Sequence, residues 1–98
     1  MITEHAMLPV TPGREEEFEA AFAAAKHIIA ASPGFGGATL SRCIERPSAY
    51  LLLVQWGTVD DHEIGFRGSP AYDEWRAALH HFYDSPASVE HYEVVATA

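Results

Sequence analysis

Cysteine is nearly missing from this chain: Cys43 is the only one among 98 residues. One thiol can close no internal disulfide and build no thiolate metal cluster. Basic side chains are scarce as well, six Lys plus Arg against fourteen Asp plus Glu, for a formal charge of −8. Such a surface repels phosphate backbones and anionic lipid, so neither nucleic acid nor a membrane is an expected partner. No apolar run has the length of a bilayer span. The opening Met1-Ile2-Thr3-Glu4-His5 has neither the basic region nor the apolar core of a signal peptide, and the expected compartment is the cytoplasm. No glycine-rich loop opens a helix: Gly34-Phe35-Gly36-Gly37 follows one, the wrong order for a dinucleotide cradle. His80 and His81 are adjacent and point about 100° apart on a helix, whereas a zinc-binding pair takes the spacing His-x-x-x-His. Neither a metal nor a cofactor is expected.

What is present is an ordinary globular composition, 48% hydrophobic, in a length that makes one domain over residues 1–98. Ile2 to Val10 reads as a strand closed by Thr11-Pro12-Gly13. Arg14 to Ala31 reads as a helix, with Glu15, Glu16 and Glu17 favouring its N-terminus and Phe18, Ala21, Phe22, Ala25 and Ile29 at helical spacing. Gly36 to Glu45 reads as a second strand that includes Cys43. Ala49 to Trp56 reads as a third, its continuous apolar run suiting a central place in a sheet. Thr58 and Asp61 match a capping pattern for a short helix over Val59 to Phe66. Ser69-Pro70 opens a last helix carrying Tyr72, Trp75, Leu79 and Phe82 on one stripe, ended by Asp84-Ser85-Pro86. Ser88 to Ala96 alternates as a final strand, with Val89, His91, Glu93 and Val95 on one side.

The order βαββααβ implies an α+β, ferredoxin-like domain, a four-stranded antiparallel sheet with helices on one face. The other face needs cover that so short a chain does not supply. A homodimer formed through that sheet face is the expected remedy.

Several pieces carry a family likeness: Thr-Pro-Gly-Arg-Glu-Glu-Glu-Phe entering the first helix, Ser-Pro-Gly-Phe leaving it, Val-Gln-Trp closing the third strand, and Ser-Pro-Ala-Tyr opening the last helix. With these the chain resembles the antibiotic biosynthesis monooxygenase superfamily of dimeric α+β barrels. The resemblance implies a cavity between helices and sheet that takes a small aromatic ligand. In the branch that oxygenates aromatic polyketides without a cofactor, a Gln-Trp ends the strand and a tyrosine follows six residues on; Trp56 matches the tryptophan, and His62 stands in the tyrosine's place. That branch has an asparagine where this chain has Leu52. The haem-degrading branch uses an asparagine, a tryptophan and a histidine at about Ala6, Phe66 and Arg76, none of them retained.

The candidate catalytic residues are Trp56, His62 and His80. Trp56 is expected to donate its indole N–H to a substrate oxygen from the mouth of a pocket. His62, or else His80, is expected to serve as general base, although Asp60 and Asp61 beside His62 would favour its charged form. Phe66, Tyr72, Trp75, His81, Phe82 and His91 are candidate substrate-binding residues, each also readable as packing or surface. Arg42 could answer an anionic substrate or form a rim ion pair. The resemblance implies a cofactor-independent monooxygenase for a hydroquinone, phenol or polyketide-like substrate. The alternatives are a ligand-binding or structural dimer module without turnover and, third, haem binding.

Overall fold

Strict alternation builds the centre of the sheet. In the computed structural model, which describes residues 1–98, β1 (Ile2–Pro9) buries Glu4, Ala6 and Leu8, and β3 (Ala49–Trp56) buries Tyr50, Leu52, Val54 and Trp56. The two pair antiparallel with Ile2 opposite Trp56 and Leu8 opposite Tyr50, so every buried residue faces the same side. β2 (Phe35–Arg42) flanks β3 and β4 (Ser88–Tyr92) flanks β1, giving the antiparallel order β2-β3-β1-β4. This is the ferredoxin-like α+β fold that the element order implies.

Two helices cover the inner face. In α1 (Glu15–Ala30), Phe18, Ala25 and Ile29 turn inward beneath an acidic first turn. In α2 (Pro70–Leu79), Trp75 and Leu79 do the same, and a 3₁₀ turn over His80–Phe82 follows. The outer face has no cover within the chain; His5, Met7, Leu51 and Leu53 lie there half-buried. No helix is long and apolar enough to cross a membrane.

Three elements depart from their expected bounds by more than one residue at an end. β2 stops at Arg42 because the chain turns: Cys43 lies past the strand, its N–H donating to the Ala49 carbonyl. β4 stops at Tyr92, where its partner Thr3 nears the start of β1, so residues 93–96 find no pairing edge. The expected short helix over Val59 to Phe66 widens into a π-helix, Asp61–Phe66, with Arg67 N–H reaching back to the His62 carbonyl.

That π-turn is fixed at its entrance. Thr58 N–H donates to Asp61 Oδ2 at 3.0 Å, and Asp61 N–H donates to Thr58 Oγ1 at 3.1 Å, the reciprocal bonding that the sequence pattern predicts. Gly34 makes room for it. Its φ of +84° suits glycine, and a Cβ there would overlap the Asp61 carboxylate.

Candidate active site

Register assembles the polar centre. Glu4 on β1 lies opposite His91 on β4 and diagonally across from Trp56 on β3, all on the inner face. The π-turn lays His62 over this group. The wider winding turns His62 and Phe66 inward together, both buried.

Trp56 is fully enclosed, stacked on His62 at 5.4 Å and 17°, with Phe66 and Phe35 on its other sides. Its Nε1–H donates to Glu4 Oε1 at 2.9 Å. This corrects the expectation of an indole at a pocket mouth. The inward alternation of β3 carries Trp56 into the core, and its only donor is committed to a protein carboxylate.

His62 Nε2 lies 3.3 Å from the same Glu4 Oε1, and His62 Nδ1 lies 2.8 Å from His91 Nε2. The result is a buried row, Trp56–Glu4–His62–His91. Glu4 Oε2 has no protein partner. Burial raises the Glu4 carboxyl above its ordinary value, against the lowering pull of the Trp56 hydrogen bond. Burial, aided by the His91 imidazole, pushes His62 down to about 4. The Glu4–His62 contact has ion-pair geometry, but desolvation disfavours both charges, and a neutral His62 is the state that burial favours. His62 is thus neither solvated nor charged by Asp60 and Asp61; Asp61 is spent on the cap.

Two proton arrangements satisfy the row. In one, Glu4 is ionised, His62 Nε2–H faces it, and His91 Nε2–H donates to His62 Nδ1. In the other, Glu4 is protonated toward His62 Nε2, and His62 Nδ1–H donates to His91. The two differ by one proton, so the row can accept a proton and spread it across three groups.

This row borders a cavity of about 560 Å³ between sheet and helices. Glu4 and His62 stand in its wall, with Ala6, Leu8 and Leu52 as apolar floor and Phe66, Tyr72, Trp75 and His80 as the helical side. The size suits a ligand of one to three rings. His80 lies between the Tyr72 and Tyr83 rings, and burial followed by the Arg76 and Arg67 charges lowers its pKa. Burial, chiefly, also raises the Tyr83 phenol, which stays a neutral donor on the cavity wall.

The remaining candidates divide. His91 does not line the cavity; it backs His62. His81 is exposed and its Nε2 bonds the Ala78 carbonyl, and Phe82 packs against Phe18 beneath the Arg14 guanidinium. Neither reaches the cavity, because the tight turn after α2 swings both toward α1. Arg42 pairs with Glu19 at 3.6 Å, away from the cavity.

Glu4, the carboxylate in the cavity wall, is not among the site residues expected from the sequence. The signal was available: it is the one charged member of the alternating inward set Glu4, Ala6, Leu8, Val10. His62, Glu63 and His91 also bring three metal-ligating atoms within 4.8 Å of one another. The 2.8 Å between the two imidazole nitrogens is a hydrogen-bond distance, however, shorter than the roughly 3.3 Å between ligands on a tetrahedral zinc.

Comparison with known proteins bears on this site. Residues 1–78 match the sequence model of the antibiotic biosynthesis monooxygenase family. The chain is 48% identical over 95 residues to the uncharacterized protein YczJ of Bacillus subtilis, covering 97% of this chain and 100% of that one. A Bordetella bronchiseptica protein named for the same family superposes with a TM-score of 0.94 at 40% identity, covering 97% of each chain. SnoaB of Streptomyces nogalater, a cofactor-independent oxygenase, shares the fold at a TM-score of 0.83 and 24% identity, covering 98% of this chain and 94% of its own.

Proposed function

The chain belongs to the antibiotic biosynthesis monooxygenase family, and from that premise we propose a cofactor-independent monooxygenase acting on a small electron-rich aromatic, a hydroquinone or phenol. The observation that carries the reading is a carboxylate oxygen, Glu4 Oε2, without a protein partner in the wall of an apolar cavity. Glu4 takes the hydroxyl proton of the substrate. Trp56 Nε1–H fixes the carboxylate, and His62 with His91 spreads the acquired proton along the row. The resulting anion is electron-rich enough to pass an electron to dioxygen, and the apolar walls keep water from the intermediate. One oxygen atom enters the ring and the other leaves as water. The substrate supplies both electrons, so a hydroquinone becomes a hydroxyquinone. The base role expected of His62 thus passes to its neighbour in the row: His62 relays, and Glu4 touches substrate.

The test is oxygen uptake over a panel of hydroquinones and phenols, expected at one dioxygen per substrate without released peroxide. His62→Gln should slow turnover by about a hundredfold. Uptake indifferent to both Glu4→Gln and His62→Gln removes the site assignment. Saturable tryptophan quenching by these compounds without any uptake favours the binding module instead.

The same reading includes a homodimer through the outer sheet face, whose half-buried Met7, Leu51 and Leu53 gain cover from a second copy. Sedimentation should give a dimer at micromolar concentration; a stable monomer there overturns it.

A further inference from the structure

Behind His62, on the side away from the cavity, three ligating side chains converge. His62 Nδ1 and His91 Nε2 stand 2.8 Å apart, and Glu63 Oε1 lies 3.7 Å from His91 Nε2. All three residues bring a ligating atom within 4.8 Å of the others. Of the three only His62 lines the cavity, and its other nitrogen is directed to Glu4. The proposed oxygenase uses His91 only to share a proton and gives Glu63 no role. The group is reachable from water, since the side chain of His91 is 19% exposed and that of Glu63 39%.

The spacing selects among metals. Two nitrogens bound at about 2.0 Å and meeting at a right angle stand about 2.8 Å apart, whereas tetrahedral zinc holds them wider. The two imidazoles have the right-angled separation. Tetragonal nitrogen and oxygen ligation is the preference of Cu²⁺, which also binds such donors most tightly among the divalent first-row ions. A turn of the half-exposed Glu63 side chain brings its carboxylate the rest of the way. Arg67 holds Glu63 Oε2 at 3.5 Å, which leaves Oε1 facing the imidazoles; the guanidinium is half-exposed, and water and salt screen its charge from the site. A second observation lies behind the ligand. Glu4 Oε1 is 3.3 Å from His62 Nε2, and the Trp56 Nε1–H holds that carboxylate in place. A metal-binding histidine commonly donates its far N–H to a carboxylate, which fixes the ring and aims the other lone pair at the ion. With Glu4 ionised, His62 is set in that way: Nε2–H to Glu4, Nδ1 to the site.

We propose that His62 Nδ1, His91 Nε2 and Glu63 Oε1 form a Cu²⁺ site at the back of the row, with water as the remaining ligand. The ion takes the place of the proton shared by the two imidazoles. His91 keeps its one proton on Nδ1, so both rings stay neutral and no proton is released. The ion lies behind the cavity wall and meets no substrate, so the site is independent of the oxygenase reading. It bears on that reading in one way: with His62 Nδ1 bound to copper, the row ends at His62 and His91 takes no share of the proton. The metal-binding histidine pair that the adjacent His80 and His81 cannot supply is thus assembled across 29 positions, by the π-turn and the β1–β4 register.

The test is a titration of the whole chain with Cu²⁺, without substrate, in glycine buffer, which strips ions from isolated surface histidines. Trp56 stacks on His62 at 5.4 Å, so copper at the site should quench its fluorescence. One equivalent is expected to bind, and pulsed electron paramagnetic resonance should count two imidazoles on it. His91→Gln should weaken binding by about a hundredfold and leave one imidazole, and Glu63→Gln should weaken it by about tenfold. His81→Gln, exposed and outside the group, should change nothing. Zn²⁺ should bind about a hundredfold more weakly than Cu²⁺. Binding equally tight in His91→Gln, copper held by a single imidazole in the natural protein, Zn²⁺ bound as tightly as Cu²⁺, or no binding that survives glycine overturns the proposal; the two imidazoles then share a hydrogen bond only. If near-ultraviolet circular dichroism shows His91→Gln unfolded, Glu63→Gln decides, and affinity equal to the parent's overturns the proposal. Copper bound as described in a protein that consumes oxygen with no hydroquinone or phenol leaves the metal site standing and removes the oxygenase reading; oxygen uptake without copper binding does the reverse.

Discussion

The two ends of the inner sheet face are built on opposite terms. At the Leu8–Tyr50 end, Phe18 of α1 meets Tyr50, Phe82 and Tyr83 edge-on at 4.9 to 6.0 Å, and the chain closes on interlocked rings. At the Glu4–Trp56 end, a carboxylate and two imidazoles are gathered beside an indole and left next to a cavity. The first arrangement contributes stability through apolar burial. The second forgoes some, since desolvating Glu4 and His62 costs free energy that a Leu or Met in either place would not. The base role proposed for Glu4 accounts for polar groups standing where apolar packing would serve stability better.

Swapping the terms should separate the two ends. Glu4→Gln retains an oxygen for the Trp56 indole and removes the base. Oxygen uptake should fall by about a hundred- to ten-thousandfold. The melting temperature at pH 8 should hold or rise. Burial raises the Glu4 carboxyl, so its contribution to stability is present below its ordinary value and is lost as pH rises through the raised one; in alkaline solution the buried carboxyl is a burden that the amide removes. Phe18→Ala should do the reverse, costing about 3–5 kcal/mol in denaturant unfolding through the lost burial and the cavity left behind. At a temperature where the variant stays folded, its turnover should stay within a few-fold of the parent. A Glu4→Gln variant that unfolds but, once stabilised, still turns over would mean the carboxylate serves only structure.

These contrasts were unevenly legible in the amino-acid sequence. The packed end reads directly, because Phe18, Phe22 and Ile29 recur at helical spacing and the continuous apolar run from Ala49 to Trp56 gives β3 its observed bounds. The capping pair Thr58 and Asp61 is local and reads as well. The polar end does not. Trp56 and Glu4 are separated by 52 positions, and their meeting depends on the β1–β3 register. In sequence the neighbours of His62 are Asp60 and Asp61, whereas the π-turn gives it Glu4 and His91 as neighbours in space. A widened turn is set by tertiary packing and has no short sequence signature.

The pH response tests the buried imidazole. His62 faces Glu4 from β1 and His91 from β4, with Glu63 and Arg67 on its own turn. Its folded value of about 4 lies below the ordinary 6.5, so the unfolded chain binds a proton more readily across that window. Its contribution is therefore complete above pH 6.5 and is lost as pH falls toward 4. After allowance for solvent screening, the loss should be about 2 kcal/mol more in the parent than in His62→Gln, read from urea midpoints at pH 7 and pH 4. Equal losses in the two proteins would mean that the imidazole is charged in the fold, and the neutral relay would be wrong.

The smallest expected effect lies outside the site and reports on how the site is held. Gly34 contributes no side chain, yet its positive φ and the Asp61 carboxylate packed against it leave no room for one. Gly34→Ala should cost about 1–3 kcal/mol, from backbone strain together with displacement of the Asp61 cap. Because Asp61 anchors the entrance of the π-turn, the displacement should reach His62 one residue later. The imidazole proton resonances of His62 and His91 should shift, while the methyl resonances near Phe18 stay in place. Loss of stability with unmoved imidazoles would show that the Glu4 and His91 contacts hold His62 without help from the turn. The row would then be a self-contained unit that the packed end merely encloses.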